Sequence, residues 1–320
     1  MLSLRTYAPP RAVRVFLCLV IFLISIPSLR AQNGSSFWTP SDSLNKKRLR
    51  GLLIAEGAVY GVTMIGLNQL WYADYPRSSF HFFNDNKEWL QMDKMGHMTT
   101  GYYVGRLGIK AMQWTGAGPR KQLWLGGSLG FMFLTTIEIL DGFSSEWGAS
   151  WGDLVANGTG AGLVMAQHAC WQEQRITPKF SFHRSMYAEY RPDLLGHGLN
   201  EELLKDYNGQ TYWLSVSPRS FLGKDRVTWW PGWLNVALGY GADGMTGGSE
   251  NHPITQGQGV YVTPERYRQF YFSLDVDLTR IETRSKALGF LFNTFGFIKF
   301  PAPALELNRL DGWRFHPVYF

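Results

Sequence analysis

A chain of 320 residues is too long for a disulfide-stapled miniprotein and long enough for one large domain or two ordinary ones. Charged residues make up only 18% and aromatics 15%, against about 25% charged in an average soluble chain, which excludes disordered, collagen-like and coiled-coil classes. The formal charge of +6 is concentrated in Arg5, Arg11, Arg14 and Arg30, in a leading segment without acids. The rest is nearly balanced, so no nucleic-acid partner is indicated.

Residues 1–31 read as a signal peptide. Arg11 and Arg14 precede an apolar run over 15–26, which is the length of a signal core and short for a membrane span; Ala31 is the expected last residue before cleavage. Cys18 lies inside that run behind Phe16 and Leu17, where a lipid-anchor signal would want small residues. Cys170 is then the only cysteine of the mature chain, which leaves no internal disulfide and no cysteine metal cluster, and makes it a small packing residue. The expectation is an exported protein of the cell envelope, in the periplasm or outer membrane.

Residues 48–175 are predicted to be helical. The segment 51–71 carries one charge, Glu56, and 122–140 carries one, Glu138; 95–114 holds His97, Arg106 and Lys110, and 154–171 holds no Asp, Glu, Lys or Arg. Each is near the ~20 residues of a membrane crossing. Gly101 with Gly105, Gly126 with Gly130 and Gly158 with Gly162 have the four-residue spacing that lets helix backbones approach closely. Basic and acidic connections alternate, as in an antiparallel bundle. The predicted fold is therefore mainly α, an antiparallel four-helix, membrane-type bundle, followed over 178–320 by a helix and a smaller antiparallel β-rich region. There, 269–281 alternates Phe270, Phe272 and Leu274 with Tyr271, Ser273 and Asp275, the pattern of a half-buried strand. Weaker strands are expected over 212–217, 234–240, 261–263, 296–300 and 305–310. The ending from Trp313 to Phe320 resembles the last strand of an outer-membrane barrel, but about six strands fall short of the usual eight, so a small membrane-apposed sheet is expected.

The polar residues of the helical half are not scattered. Asp93 and His97 share a face at the start of the second segment, Glu138 and Asp141 close the third, and Ser150, Asp153 and Asn157 open the fourth. In an up-down bundle these three ends meet at one pole. Ionisable groups in apolar helices are costly unless paired, which makes them functional candidates.

The ordered set Asp93-Lys94-x-x-His97, Glu138 and Asp153-x-x-x-Asn157-x-x-Gly160 resembles the VanZ-like pattern, and with 148–153 it is closer to the YfiM-type family of predicted periplasmic lipoproteins. The resemblance covers about residues 86–170. It implies an envelope location and a helical fold, and supplies no established reaction.

Several readings of the cluster compete. His97, Asp93 and Glu138, with Asp141 or Asp153, are candidate ligands of a divalent metal. The same groups would serve as an acid–base pair, or as a self-satisfied network fixing helix register. Ser150 lies in Gly-x-Ser-x-Gly, but its spacing to Asp153 matches a capping box. No cofactor is predicted apart from such a metal: 239–244 matches a dinucleotide fingerprint with no helix after it, so it is read as a glycine turn and no nucleotide cofactor follows. The expected partner is membrane lipid or another envelope protein. Two functions are carried forward: a non-enzymatic, membrane-associated module, and a membrane-apposed enzyme acting through His97 and its carboxylates on a lipid or cell-wall precursor.

Overall fold

The computed structural model describes residues 37, 39–72, 76–223, 226–255 and 261–320. The signal segment and Cys18 lie outside the described residues. The chain divides into two compact units: residues up to 76 with 113–118, and 77–112 with 119–320.

In the first unit, helix α1 (Lys46–Leu67) starts at Asn45, whose side chain accepts from the Lys47 and Arg48 amides, and it runs on as a π-turn over Asn68–Tyr72. Its base is fixed by the Arg48 guanidinium over the Trp114 ring and by the Asn45 amide on the Thr115 carbonyl. The helix has no buried residue. By length and composition it is one of two described helical segments able to cross a membrane; Pro119–Asp141 is the other and is partly buried.

The second unit holds α2 (Met92–Trp114, apart from its last two residues), α3 (Leu129–Asp141), α4 (Trp151–Trp171) and all the strands. Three bare glycine contacts bring these helices together. A Cβ on Gly130 would lie 2.2 Å from the Gly101 carbonyl, one on Gly108 2.2 Å from that of Gly126, and one on Gly160 2.0 Å from that of Met98. Leu134, Val164, Ile109 and Tyr102 fill the seam. Gly158 and Gly162 face away from it, with only Phe131 near Gly158. Cys170 is exposed, not packed.

Before α2 the backbone makes a left-handed turn: Trp89, Leu90 and Gln91 have φ of 46°, 50° and 66°. Each such residue costs on the order of 1 kcal/mol or more. The turn is tied down by the Trp89 amide on the Gly248 carbonyl, Tyr240 Oη on the Leu90 carbonyl and Arg268 on Gln91.

The four-helix bundle is not what forms. The described chain is about 47% helical and 21% strand, α1 sits in a different unit from α2–α4, and a six-stranded antiparallel sheet replaces the expected minor β region. The charge-poor segments have helical length, but length does not specify that four helices pack together. The sheet runs β1 (Ile176–Phe182), β2 (Gln210–Val216), β3 (Leu234–Asp243), β6 (Tyr267–Val276), β7 (Ala302–Asn308), β8 (Gly312–Tyr319); β4 (Ile254–Thr255) and β5 (Tyr261–Val262) form a separate ribbon. The residues 297–299, expected as part of a strand, line the outer edge of β1 in parallel through Phe180. The sheet is strongly curled: Tyr319 on β8 meets Thr211 on β2 at 3.0 Å, although three strands lie between them.

The glycine seam gives opposite signs for one kind of substitution. Gly130→Ala or Gly108→Ala should destabilise by about 1–3 kcal/mol through overpacking against backbone, whereas Gly162→Ala, which meets nothing within 4 Å, should stabilise by up to about 1 kcal/mol. Thermal unfolding of the three variants checks this.

Candidate functional site at the helical pole

The first turn of α2, the last turn of α3 and the first turns of α4 meet at one end, together with the 77–91 loop. Ser150 is the N-cap of α4: its Oγ accepts from the Asp153 amide at 3.1 Å and donates to Asp85 Oδ1 at 2.6 Å. Glu138, buried at the end of α3, accepts from the Ser150 amide at 3.0 Å, which places a carboxylate at the positive end of α4. Gly148 and Gly152 have packing reasons. A Cβ on Gly148 would meet Phe83, and one on Gly152 would meet Asn86 Oδ1 and the Lys94 stem. The Gly-x-Ser-x-Gly run is thus a close-packed helix start with a buried, fully used serine.

Lys94 is the centre of the paired part of the cluster. Its ammonium contacts Asp85 at 2.5 Å, Asp153 Oδ2 at 3.1 Å and Asp93 at 3.3 Å. Beside it lies a less satisfied part. His97 Nδ1 meets Asn157 Oδ1 at 2.9 Å and Glu138 at 3.7 Å, while Nε2 lies 3.8 Å from Asp93. With Nδ1 donating to Asn157, Nε2 carries the lone pair on the Asp93 side. Tyr207 Oη donates to Asp93 at 2.9 Å. One ligand atom each from Asp93, His97 and Asp153 lies within 4.8 Å of the others, and Asp153 Oδ1 and Asn157 Nδ2 are buried without a hydrogen-bond partner. Buried polar atoms are rarely left so.

Four carboxylates, Asp85, Asp93, Glu138 and Asp153, thus surround one lysine and one histidine. A single ammonium cannot neutralise them, and protonation follows. Burial first, then the charge of Asp93, pushes Asp153 up to about 8 despite His97 and Lys94. Burial alone would lower His97, but Asp93, Asp153 and Glu138 outweigh it and raise it above the ordinary imidazole value. Asp85 goes the other way: burial opposes its charge, and hydrogen bonds from Lys94 and Ser150 carry it below the usual range.

The structure therefore brings together Asp93, His97, Glu138, Ser150, Asp153 and Asn157. Asp141 ends α3 one turn after Glu138, its carbonyl accepting from Ser144, and does not join the three converging ligand atoms. The candidate site residues read from the sequence did not include Asp85, Tyr207 or Lys94, although Lys94 stands in the Asp93-Lys94-x-x-His97 pattern. Lys94 was readable from its place between Asp93 and His97; Asp85 and Tyr207 had no spacing signal, because loop and tertiary packing deliver them.

Residues 81–169 match the family described as predicted periplasmic lipoprotein (DUF2279). That stretch contains every residue of the cluster except Tyr207. The match supports an exported, envelope-associated protein of a lipoprotein-like family; it supports neither the YfiM nor the VanZ likeness specifically, and it assigns no reaction. Neither the curated proteins nor the solved structures contain a match to the chain.

The raised groups set the direction of pH dependence. Asp153 folds protonated up to about pH 8, whereas an unfolded aspartate ionises near 3.9. Its contribution to stability is thus greatest in acid and falls as pH rises toward 8; the raised His97 adds a loss in the same sense above the ordinary imidazole range. Asp153→Asn should flatten this fall and match or exceed the parent chain by on the order of 1 kcal/mol or more at pH 8. Thermal midpoints from pH 5 to 8.5 in the presence of a chelator test it; a steeper loss in the variant would contradict the protonated carboxyl.

Proposed function

We propose that the protein is a membrane-apposed envelope protein whose helical pole binds a divalent cation and uses it, with His97, in acid–base or hydrolytic chemistry on a membrane-borne lipid or cell-wall precursor. The observation that carries this reading is the convergence of one ligand atom each from Asp93, His97 and Asp153 within 4.8 Å of one another. Two carboxylates and an imidazole suit Zn2+, Mn2+ or Fe2+ rather than a soft thiophilic metal. Asn157, bonded to Nδ1 of His97, is placed as the outer partner that orients a ligating imidazole. A cation there would offset the excess negative charge and supply a Lewis acid or an activated water.

The apposition to a membrane is supported by the rim. Phe80, Phe82, Phe143 and Trp151 are exposed and packed on one another, Phe82 stacking on Trp151 at 4.5 Å, next to the loop that delivers Asp85 and the cap Ser150. Exposed aromatics of this kind favour the interfacial zone of a bilayer. The YfiM-type and VanZ-like likeness of the Asp-Lys-x-x-His, Glu and Asp-x-x-x-Asn set belongs to the same proposal. The competing reading, a purely structural network, is favoured by the Lys94 and Ser150 half, where Asp85, Lys94, Ser150 and Glu138 bond to one another.

Cation binding separates the two. After chelation, full-length protein given Mn2+ or Zn2+ should retain about one ion per chain. It should gain about 2.7 kcal/mol of stability at one hundred times the dissociation constant. Asp153→Asn, which is expected to fold, should lose both effects, and His97→Asn should lose them too. Parent protein that retains no ion and shows no shift would leave the structural network as the function of the cluster.

A further inference from the structure

The polarity of the six-stranded sheet is reversed relative to a water-soluble one. On β6, Phe270, Phe272 and Leu274 are 51%, 51% and 42% exposed, whereas the alternating Tyr271, Ser273 and Asp275 are 3%, 3% and 0% exposed. The half-buried strand read from the sequence is therefore real, but its apolar face points outward. The reversal extends across the sheet. Leu214, Leu238, Phe272, Leu305 and Phe315 form one cross-strand row in register from β2 to β8, and the last four are exposed. The concave side, where Tyr319 reaches Thr211, takes the charges: Lys179, Asp275, Lys299 and Glu306 are almost fully buried there. Each has a polar or charged neighbour, although Lys179 Nζ makes no hydrogen bond. Asp275 accepts from Ser215 at 2.7 Å and pairs with Lys179 at 3.5 Å, and Glu306 is held by His316 at 2.6 Å and by Gln269 and Asn308.

We infer that the convex face of this sheet from β3 to β8, beyond the part over β1 and β2 that packs on Met92 and Met95, is covered by the acyl chains of a lipid bilayer. Polar groups inside and apolar ones outside, alternating along β6 and β7, is the arrangement of a sheet solvated by hydrocarbon. Strands β3 and β6 are each 10 residues long, within the roughly 9–11 that a tilted strand needs to cross a bilayer. Exposed tryptophans stand at both ends of the apolar rows: Trp229 and Trp233 before β3, and Trp313 at the opposite end in the row of Phe270 and Leu307. That is where interfacial aromatics collect. Both edges are blunted against stray pairing: 297–299 pair with β1, and Pro317 withholds a donor from β8. A second copy of the chain would need a complementary patch, whereas lipid covers a whole face without one. The inference is independent of the cation site.

The test is a pair of measurements on the full chain in vesicles of phosphatidylethanolamine and phosphatidylglycerol. First, nitroxide labels are placed by Phe272→Cys, Leu305→Cys and Phe315→Cys in a background with Cys18→Ala and Cys170→Ala, with Glu282→Cys as an exposed reference. Collisions with oxygen should exceed those with a water-soluble nickel complex several-fold at the three sheet positions, and the order should reverse at 282. Nickel access at the sheet positions would overturn the inference, as would immobilised labels that neither reagent reaches, the signature of a protein partner. Second, an acyl-chain diazirine applied to the unmodified chain should leave adducts on peptides from β3, β6 and β7; their absence would overturn it without any substitution.

Discussion

The shortage of positive charge at the helical pole is the constraint on which the site depends. Lys94 lies against three carboxylates at once, and the geometry around it divides the cluster. Where its ammonium and the start of α4 supply donors, Asp85, Ser150 and Glu138 are satisfied and do the work of an N-cap and a loop anchor. On the His97 and Asp153 side, and at Glu138, protons are held above their ordinary range, and Asn157 Nδ2 goes without a partner. A buried polar network serves stability when it is complete and is costly when it is not. The incomplete half is therefore where a ligand would bring a gain, and the complete half is the frame that presents it.

That frame exists because helix backbones touch. Gly101 against Gly130, Gly108 against Gly126 and Gly160 against Met98 remove the side-chain layer between α2, α3 and α4. The first turn of α2 is thereby held close enough for His97 to reach Asn157 and Glu138. The left-handed turn at Trp89–Gln91 acts at the other end of the same problem: it re-aims the chain into α2 one residue before Asp93, and the strand residues Tyr240 and Arg268 hold it there. Strained backbone that the surroundings over-determine is a recurrent feature beside functional groups. Helices, loop and sheet thus all fix the position of Asp93, which also accepts from Tyr207.

Much of the pole was legible in the sequence because it is written in helical spacing. Asp93 with His97 and Asp153 with Asn157 each differ by one turn, and Ser150 stands three residues before Asp153 as a cap does. What spacing cannot encode is delivery by loops, so Asp85 and Tyr207 went unseen. The fold class failed for a different reason. Charge-poor segments of twenty residues read equally as bundle members and as separate apolar helices, and α1 turned out to bury nothing. Strand β1 was not read from the sequence; its Pro178 is tolerated because β1 lies at the sheet edge and the neighbours of Pro178 pair with β2. In β6 the alternation was plain; period two fixes which residues share a face and says nothing about which face meets water.

That last ambiguity connects the composition to the architecture. A chain with only 18% charged residues has few to place, and this one sets many of them inside: Lys179, Lys299, Asp275, Asp277 and Glu306 in the sheet region, Glu138 and Asp153 at the pole. Every charge drawn inward leaves the exterior to apolar groups, so the inverted sheet and the aromatic rim at the pole follow from one allocation rather than two. Such an allocation is self-consistent only if each interior charge has a counter-charge. In the sheet region that condition is more nearly met, with Lys179 facing Asp275, Arg280 facing Asp277 and His316 facing Glu306, while Lys299 is held by Ser273 and the Phe300 carbonyl. At the pole it is not met, because four carboxylates face one lysine and one histidine. The same accounting leaves the pole the less balanced of the two, and that is where the proposed cation would bring a gain.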